Sequence, residues 1–370
     1  MPKKSYDLVI RGGRVIDPAL GFGREASIFI KDGKIVKMEK TSEGSRDLKG
    51  MPEEKVIDAA GMIVTPGLID VHVHLREPGR EDEETVETGC RAAAAGGFTS
   101  LCCMPNTAPA IDNQETVKFV QDRAQSADAR VYVVGAITKG RKGAELSEIG
   151  DLVKVGAVAV SDDGAYLQNA EIMRRALQYS RMFNIPVLQH AEDQQLCEGA
   201  VMNESFESTK LGLKGAPPEA EEIAVLRDIA LARSTGGRVH FQHITTKRAI
   251  EAIRQAKKEG IRVTAEAAPH HLVLNDAEIA KAFNTNLRVN PPLRSESDRQ
   301  ALIEGLVDGT IDCIASDHAP HSEEEKDCEF DLAPPGMIGL ETSLALINTF
   351  LIEKGLMNWA DVIRKMTVNP

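Results

Sequence analysis

The sequence predicts an α/β protein built on a (β/α)8 barrel, with a small β-sheet domain ahead of the barrel. From Gly67 onward, short apolar runs alternate with helical segments, as in GGFTSLCCM followed by QETVKFVQDRAQ. Strands that alternate with helices form parallel βαβ units, and seven or eight such units in about 300 residues fit a closed barrel better than an open sheet. In such a barrel, the chemistry sits at the carboxyl ends of the strands.

The beginning of the chain has a different pattern. DLVIRGGRVID, ASIFIKDGKIVKM and KVIDAAGMIVTPG carry β-branched residues separated by Gly-containing turns, which is typical of short strands. We therefore predict a small β-sheet domain at residues 1–65 and the barrel at residues 66–370. The segment EKGLMNWADVIRKMTVNP is predicted to be a helix with a stop at Pro370.

Composition and charge exclude several classes of protein. The chain has 370 residues, 42% of them hydrophobic, and a formal charge of −12 without a long run of Lys or Arg. We expect no nucleic-acid partner, because such proteins neutralise phosphates with clustered basic residues. No apolar run is long enough for a membrane span, and MPKKSYDLVI lacks the apolar region of a signal peptide, so we expect no membrane contact and a cytoplasmic location. The six cysteines show no C-x-x-C spacing, which indicates free thiols.

Side chains with metal-ligand chemistry follow the predicted strands, and all nine histidines lie at or just beyond predicted strand ends. His72 and His74 are two residues apart on one strand and therefore share a face. His190, His243 and Asp317 close IPVLQH, VHFQH and IDCIASD, runs too apolar for unpaired polar groups. A lone H-x-H pair is equally well a polar spot on a strand. Five such residues on one rim instead indicate a divalent metal, zinc by preference for imidazole plus carboxylate.

SDDG at residues 161–164 places Asp162 and Asp163 at another strand end. Either carboxylate could bridge two metal ions, whereas the alternative is an ordinary turn, because Asp-Gly is a turn dipeptide. The acidic run at residues 323–325 is interpreted as a solvated loop face. The remaining histidines His240, His270 and His271 are expected to be structural.

Taken in order, these motifs resemble the amidohydrolase superfamily and, more narrowly, type I dihydroorotases. The superfamily resemblance rests on PGLIDVHVHLRE at residues 66–77. The narrower one covers nearly all of the barrel and rests on MPNT at 104–107, SDDG at 161–164, QHAED at 189–193, HITT at 243–246, VNPPLR at 289–294 and SDHAPH at 316–321.

The resemblance implies a metal site, a catalytic residue and a substrate site. One or two zinc ions per chain would be bound by His72, His74, Asp163, His190, His243 and Asp317. Asp317 would also act as general base and then acid. The substrate would be bound by His74, Arg76, Asn106, Asn290, His321, Pro335 and Gly336, the last two through their backbone. SDDG would replace the carboxylated bridging lysine of many hydantoinases, so no modification of Lys154 is expected.

The implied activity is the reversible cyclisation of N-carbamoyl-L-aspartate to dihydroorotate in pyrimidine biosynthesis. The family also implies a homo-oligomer, sometimes a complex with aspartate transcarbamoylase, and further C-terminal strands that this sequence does not contain. Two alternatives remain open. One is a different cyclic-amide hydrolase of the same fold, such as an allantoinase or a dihydropyrimidinase, and the other is a non-catalytic homologue that serves as a scaffold.

Overall fold

The computed structural model of the chain describes residues 6–40 and 52–370. Its contacts divide the chain into two units. The first comprises the described residues up to Gly67 together with Met357–Asn369, and the second comprises Leu68–Leu356 with Pro370. The strands are β1 (Leu8–Asp17), β2 (Phe22–Lys31), β3 (Lys34–Glu39), β4 (Val56–Asp58), β5 (Ile63–Val64), β6 (Leu68–Val73), β7 (Phe98–Cys103), β8 (Arg130–Ala136), β9 (Ala159–Ser161), β10 (Val187–Gln189), β11 (Met202–Asn203), β12 (Gly215–Ala216), β13 (Val239–Phe241), β14 (Val263–Ala267) and β15 (Cys313–Ile314).

The second unit is an eight-stranded parallel barrel, which confirms the predicted fold class. Strands β6, β7, β8, β9, β10, β13, β14 and β15 pair in this order. The ring closes where Val73, at the end of β6, forms a parallel bridge with His318, and the His74 N–H donates to the His318 carbonyl at 2.9 Å. Strands β9, β10 and β13 are buried throughout, as expected for a parallel sheet covered on both faces.

Helices connect the barrel strands, and their sequences explain where they begin. The helix that follows Asn169 buries residues at helical spacing and starts where the Asn169 side chain accepts from the Glu171 and Ile172 N–H groups. The helices are α1 (Val86–Ala95), α2 (Gln114–Arg123), α3 (Ile149–Lys154), α4 (Ala170–Met182), α5 (Gln194–Cys197), α6 (Phe206–Leu211), α7 (Glu219–Thr235), α8 (Lys247–Lys258), α9 (Pro269–Val273), α10 (Ile279–Ala282), α11 (Glu296–Asp308), α12 (Glu323–Lys326), α13 (Ser343–Ile347) and α14 (Trp359–Lys365). None of the helices in the described ranges is long and apolar enough to cross a membrane.

The first unit contains the predicted small sheet. β1 pairs antiparallel with β2 and parallel with β4 and β5, and β2 pairs antiparallel with β3. Tyr6, Val9 and Phe29 form one of its buried clusters. The predicted C-terminal helix is shorter than its sequence pattern indicated, because α14 covers only Trp359–Lys365. This helix contacts β1 and belongs to the first unit, whereas the sequence had assigned it to the barrel domain. None of the six cysteines, all of which lie in the described ranges, forms a disulfide bond, as predicted.

Candidate active site

The carboxyl ends of the barrel strands bring six metal-ligand side chains together. Parallel strands of a barrel end on the same rim, so residues far apart in sequence become neighbours there. His72 lies in β6 and His74 follows it, while Asp163, His190, His243 and Asp317 come shortly after β9, β10, β13 and β15. All six side chains are buried.

Asp163 lies at the centre of this group. Its Oδ1 lies 3.4 Å from His72 Nε2, and its Oδ2 lies 3.4 Å from His74 Nε2. On the other side, Oδ1 lies 4.0 Å from His190 Nδ1 and 3.9 Å from His243 Nε2. Asp163 therefore belongs to two groups of three side chains whose donor atoms all lie within 4.8 Å of one another.

The chemistry of this set fits a metal ion. Asp163 Oδ1 is buried and has no hydrogen-bond partner among the described residues, which is costly for a carboxylate oxygen unless a cation compensates it. Asp317 Oδ1 lies 3.4 Å from His72 Nε2 and 3.2 Å from His74 Nε2. Imidazole and carboxylate are ligands that divalent cations such as zinc accept. The arrangement can therefore hold one ion between Asp163 and each histidine pair.

The charges of these side chains also fit a metal ion. Burial disfavours the charged form of His72, but the charges of Asp163 and Glu266 outweigh it and hold the pKa of His72 well above its usual value. Burial also disfavours the ionised form of Asp163, yet the charges of His72, His74 and His190 hold its pKa well below its usual value. Burial, with the charge of His190, lowers the pKa of His243 to about 3. The site thus combines ionised carboxylates with buried imidazoles, a set of groups that a divalent cation can hold together.

Two glutamates contact histidines of this group, and sequence reasoning missed both. Glu266 Oε1 accepts from His72 Nδ1 at 2.5 Å, and Glu192 Oε2 lies 2.9 Å from His190 Nε2. Such partners fix the ring orientation and the tautomer of a metal-binding histidine. Glu192 stands two residues after His190 in QHAED, and Glu266 interrupts the apolar strand VTAEA. An acidic residue in a buried strand is the signal that would have found Glu266.

His240 does not lie at a strand end, so that expectation from the sequence is wrong. It lies inside β13, where its Nε2 is 2.9 Å from Glu266 Oε2 and its Nδ1 is 2.8 Å from Thr264 Oγ1. The apolar run VHFQH contains two histidines, and the strand already ends at Phe241. The position of this strand end depends on hydrogen bonds to the neighbouring strands, and the sequence pattern does not show where those hydrogen bonds stop.

The two aspartates of SDDG separate into different roles. Asp162 accepts from the Thr138 backbone N–H at 3.0 Å and from Thr138 Oγ1 at 2.6 Å, so it joins the segment after β9 to the segment after β8. Asp163 faces the histidines. Lys154 lies in α3, where its Nζ pairs with Asp151 at 2.7 Å and its side chain is 72% exposed.

The residues expected to bind substrate line the same rim. Arg76 NH2 lies 3.4 Å from His321 Nε2, and Arg76 also donates to the Pro320 carbonyl through Nε and NH2. Asn106 Oδ1 accepts from His74 Nδ1 at 2.8 Å. Asn290 Nδ2 lies 3.1 Å from His190 Nε2. Each of these side chains is therefore within one contact of a ligand histidine or of another residue of the set.

The loop after Asp317 forms one side of the mouth. His321 Nε2 lies 3.0 Å from the Pro335 carbonyl oxygen, and the Gly336 N–H donates to the Arg288 carbonyl at 2.9 Å. Asn290 and Pro335 also line a cavity of about 120 Å³. Within the acidic run, Glu325 is not merely solvated, because it accepts from Arg80 at 2.6 Å.

The chain is similar in sequence to known proteins. The family model described as Dihydro-orotase-like matches residues 61–249. A dihydroorotase of Pelotomaculum thermopropionicum is 52% identical over 363 residues, which cover 98% of this chain and 83% of the relative. A dihydroorotase of Endomicrobium trichonymphae is 50% identical over 364 residues, covering 98% of this chain and 84% of the relative.

Solved structures show the same fold. The L-hydantoinase (dihydropyrimidinase) of Arthrobacter aurescens superposes with a TM-score of 0.86 at 24% identity, over 99% of this chain and 82% of that one. The D-hydantoinase (dihydropyrimidinase) of Thermus sp. gives a TM-score of 0.78 at 23% identity, over 97% and 80% of the two chains. The sequence resemblance to dihydroorotases is confirmed: the chain belongs to the dihydroorotase family, and it is a hydrolase that acts on cyclic amides.

Proposed function

We propose that this chain is a zinc-dependent enzyme that interconverts N-carbamoyl-L-aspartate and (S)-dihydroorotate in de novo pyrimidine (UMP) biosynthesis. The observation that carries the proposal is the buried Asp163 carboxylate, which is shared by two histidine pairs and has an unpartnered oxygen. The dihydroorotase relatives at about half identity support the substrate.

The proposed metal ligands divide into two pairs of histidines around a shared carboxylate. His72 and His74 would hold one zinc ion, His190 and His243 a second, with Asp163 between them and Asp317 beside the first pair. When bound, zinc supplies Lewis acidity that polarises the amide carbonyl of the substrate. The protein would fix the positions of these ligands, because Glu266 contacts the His72 ring and Glu192 contacts the His190 ring.

Asp317 is the proposed catalytic residue. Burial disfavours its ionised form, but the charge of His72 and a hydrogen bond from His74 hold its pKa far below its usual value, so it rests as a carboxylate. In hydrolysis it would accept the proton of the attacking water and pass it to the departing ring nitrogen; cyclisation reverses both transfers. Asp317 lies shortly after β15, on the same rim as the histidines.

The acidic substrate carries a carboxylate that takes no part in the ring chemistry. Arg76 and His321 lie 3.4 Å apart and would bind this group, since a guanidinium pairs well with a carboxylate. Asn106 and Asn290 would hold the ring amides, and the backbone at Pro335 and Gly336 would close over them. A clamp for a carboxylate favours dihydroorotate over the uncharged rings of hydantoin and dihydrouracil.

The test is hydrolysis of dihydroorotate by the zinc-supplemented enzyme, beside hydantoin, dihydrouracil and allantoin. We expect turnover of dihydroorotate alone, and a loss of about 10²- to 10⁴-fold in kcat for Asp317→Ala, the size of a general acid–base contribution. Turnover of allantoin or dihydrouracil instead would refute the substrate assignment but keep the metal site. Inactivity on all four rings would favour the scaffold alternative. Homo-oligomerisation, a complex with aspartate transcarbamoylase and a cytoplasmic location stay predictions.

A further inference from the structure

A buried carboxylate outside the metal site connects the two residues proposed to bind the substrate carboxylate. Glu83 lies in the segment between β6 and α1, and its side chain is only 1% exposed. Its Oε2 forms an ion pair with Arg76, 3.1 Å from Nε, and its Oε1 lies 2.6 Å from His321 Nδ1. Glu83 therefore contacts both Arg76 and His321, the two residues of the proposed carboxylate clamp.

The local backbone explains how Glu83 reaches this position. The Arg80 N–H donates to the Arg76 carbonyl at 3.2 Å, and the Glu83 N–H donates to the Arg80 carbonyl at 3.0 Å. These consecutive turns place the side chains of all three residues on one side of the segment. Arg80 NH2 then lies 3.1 Å from Glu83 Oε1 and 2.6 Å from Glu325 Oε1. The cluster thus joins the segment after β6 to the mouth loop after β15.

The charges in this cluster argue for orientation of the arginine and against a cation site. Glu83, His321 and Glu325 have the geometry of a metal-binding group. However, the guanidinium groups of Arg76 and Arg80 each lie 3.1 Å from Glu83 and already compensate its charge. Burial raises the pKa of Glu83 to about 7 against the opposing charge of Arg76, so Glu83 is ionised in mildly alkaline solution.

We infer that Glu83 is a positioning residue, which holds Arg76 and His321 in the orientation that binds the free carboxylate of the substrate. Its ion pair with the guanidinium, together with the Pro320 carbonyl that accepts hydrogen bonds from the same group, fixes the orientation of the Arg76 side chain. Its contact with Nδ1 turns the opposite ring nitrogen of His321 toward Arg76 and the Pro335 carbonyl. The inference rests on the proposed function, because it requires that a ligand carboxylate binds at Arg76.

The test compares ligands with and without that carboxylate. The zinc-loaded full chain is titrated calorimetrically at pH 8 with orotate and with uracil, using wild type, Glu83→Gln and Glu324→Gln. Glu324 is an exposed residue of α12, so its variant removes one negative charge from the mouth without touching the clamp. We expect Glu83→Gln to weaken orotate binding about tenfold, or about 1.4 kcal/mol, with uracil binding unchanged. Glu324→Gln should bind both ligands as wild type does.

Kinetics provide a second readout. For dihydroorotate, Glu83→Gln should raise KM about tenfold and leave kcat within about twofold, since Glu83 does not touch the reacting atoms. A purely structural residue would instead lower kcat and weaken both ligands together. Should Glu83→Gln fail to fold, Glu83→Asp serves in its place: it keeps the charge on a shorter side chain and should weaken orotate a few-fold with uracil unaffected.

Three outcomes would overturn the inference: unchanged or tighter orotate binding in the Glu83 variants, an equal loss for orotate and uracil, or no orotate binding by wild type. Failure of the proposed function is separate and visible in wild type alone. A wild-type chain that binds orotate in a Glu83-dependent manner but does not hydrolyse dihydroorotate would contradict the proposed activity and support the positioning role.

Discussion

Glu266 offers a sharp test of how the fold prepares the metal site, through the substitution Glu266→Gln. Glu266 is 1% exposed and accepts three hydrogen bonds: from His72 Nδ1 at 2.5 Å, from His240 Nε2 at 2.9 Å and from the His243 backbone N–H at 3.2 Å. Glutamine has nearly the same shape, so the change removes the charge and one acceptor oxygen without leaving a cavity.

The magnitude follows from the bond to His72. A hydrogen bond to a charged partner contributes about 1.5–3 kcal/mol and a neutral one about 0.5–1.5 kcal/mol, so losing the charge costs about 1–1.5 kcal/mol. This is close to a tenfold change in affinity, at the lower end of the 10- to 100-fold range found for such outer partners of metal ligands. We therefore expect zinc to bind Glu266→Gln about tenfold more weakly than wild type.

Competition with a chromophoric chelator measures this affinity directly. Asp276→Asn is the matched control, since Asp276 is a buried carboxylate that accepts from Asn203 Nδ2 at 2.9 Å and appears in neither metal-ligand group. It should lower stability without changing zinc affinity. Wild-type affinity in Glu266→Gln, or an equal loss in Asp276→Asn, would refute the argument that Glu266 acts through His72.

Two further predictions concern stability. Burial lowers the pKa of His270 to about 4, below its unfolded value of about 6.5, so the unfolded chain takes up this proton first. The stability contribution of neutral His270 is present above pH 6.5 and is lost as the pH falls toward 4. In urea titrations, His270→Leu should therefore reduce the drop in unfolding free energy between pH 6.5 and 4.5 by about 2 kcal/mol. An unchanged dependence of the unfolding free energy on pH would contradict this. A Cβ on Gly96 would lie 2.2 Å from the Leu340 carbonyl oxygen, so Gly96→Ala should lower the free energy of unfolding by about 1–3 kcal/mol. A Cβ on Gly23 would have no heavy atom within 4 Å, so the control variant Gly23→Ala should leave the free energy of unfolding nearly unchanged. Equal stabilities of the two glycine variants would show that the chain relaxes around the added methyl group.

Local patterns were sufficient for the fold and for the composition of the site. Short apolar runs between helical segments predicted parallel βαβ units, and the barrel has these strands in chain order. Polar residues next to those runs were expected on one rim because parallel strands share a direction, and the structure places His72, His74, Asp163 and Asp317 there together. Their metal-binding and catalytic roles remain proposals.

Contacts that join distant strands were beyond the reach of local patterns. His72 and Glu266 are 194 positions apart, and Arg76 and His321 are 245 apart. Whether two such side chains meet depends on strand register and on the closure between Val73 and His318. Sequence periodicity fixes the face of a residue but not its height along the barrel relative to other strands. For this reason the contacts of Glu266 with His72 and of Glu83 with His321 were found only in the structure. Glu192, by contrast, contacts a histidine only two positions before it.

The sequence by itself determined the family, the order of strands and helices, and the residue types available for chemistry, because these depend on local spacing and motif identity. The tertiary structure decided which of the nine histidines face Asp163 and which instead pair with Glu266 or Glu84. It also decided which aspartate of SDDG accepts from Thr138 instead of facing the histidines. The physical reason is that ligand geometry requires atoms to meet within a few ångströms, and that precision arises only when the barrel closes and fixes the relative register of all its strands.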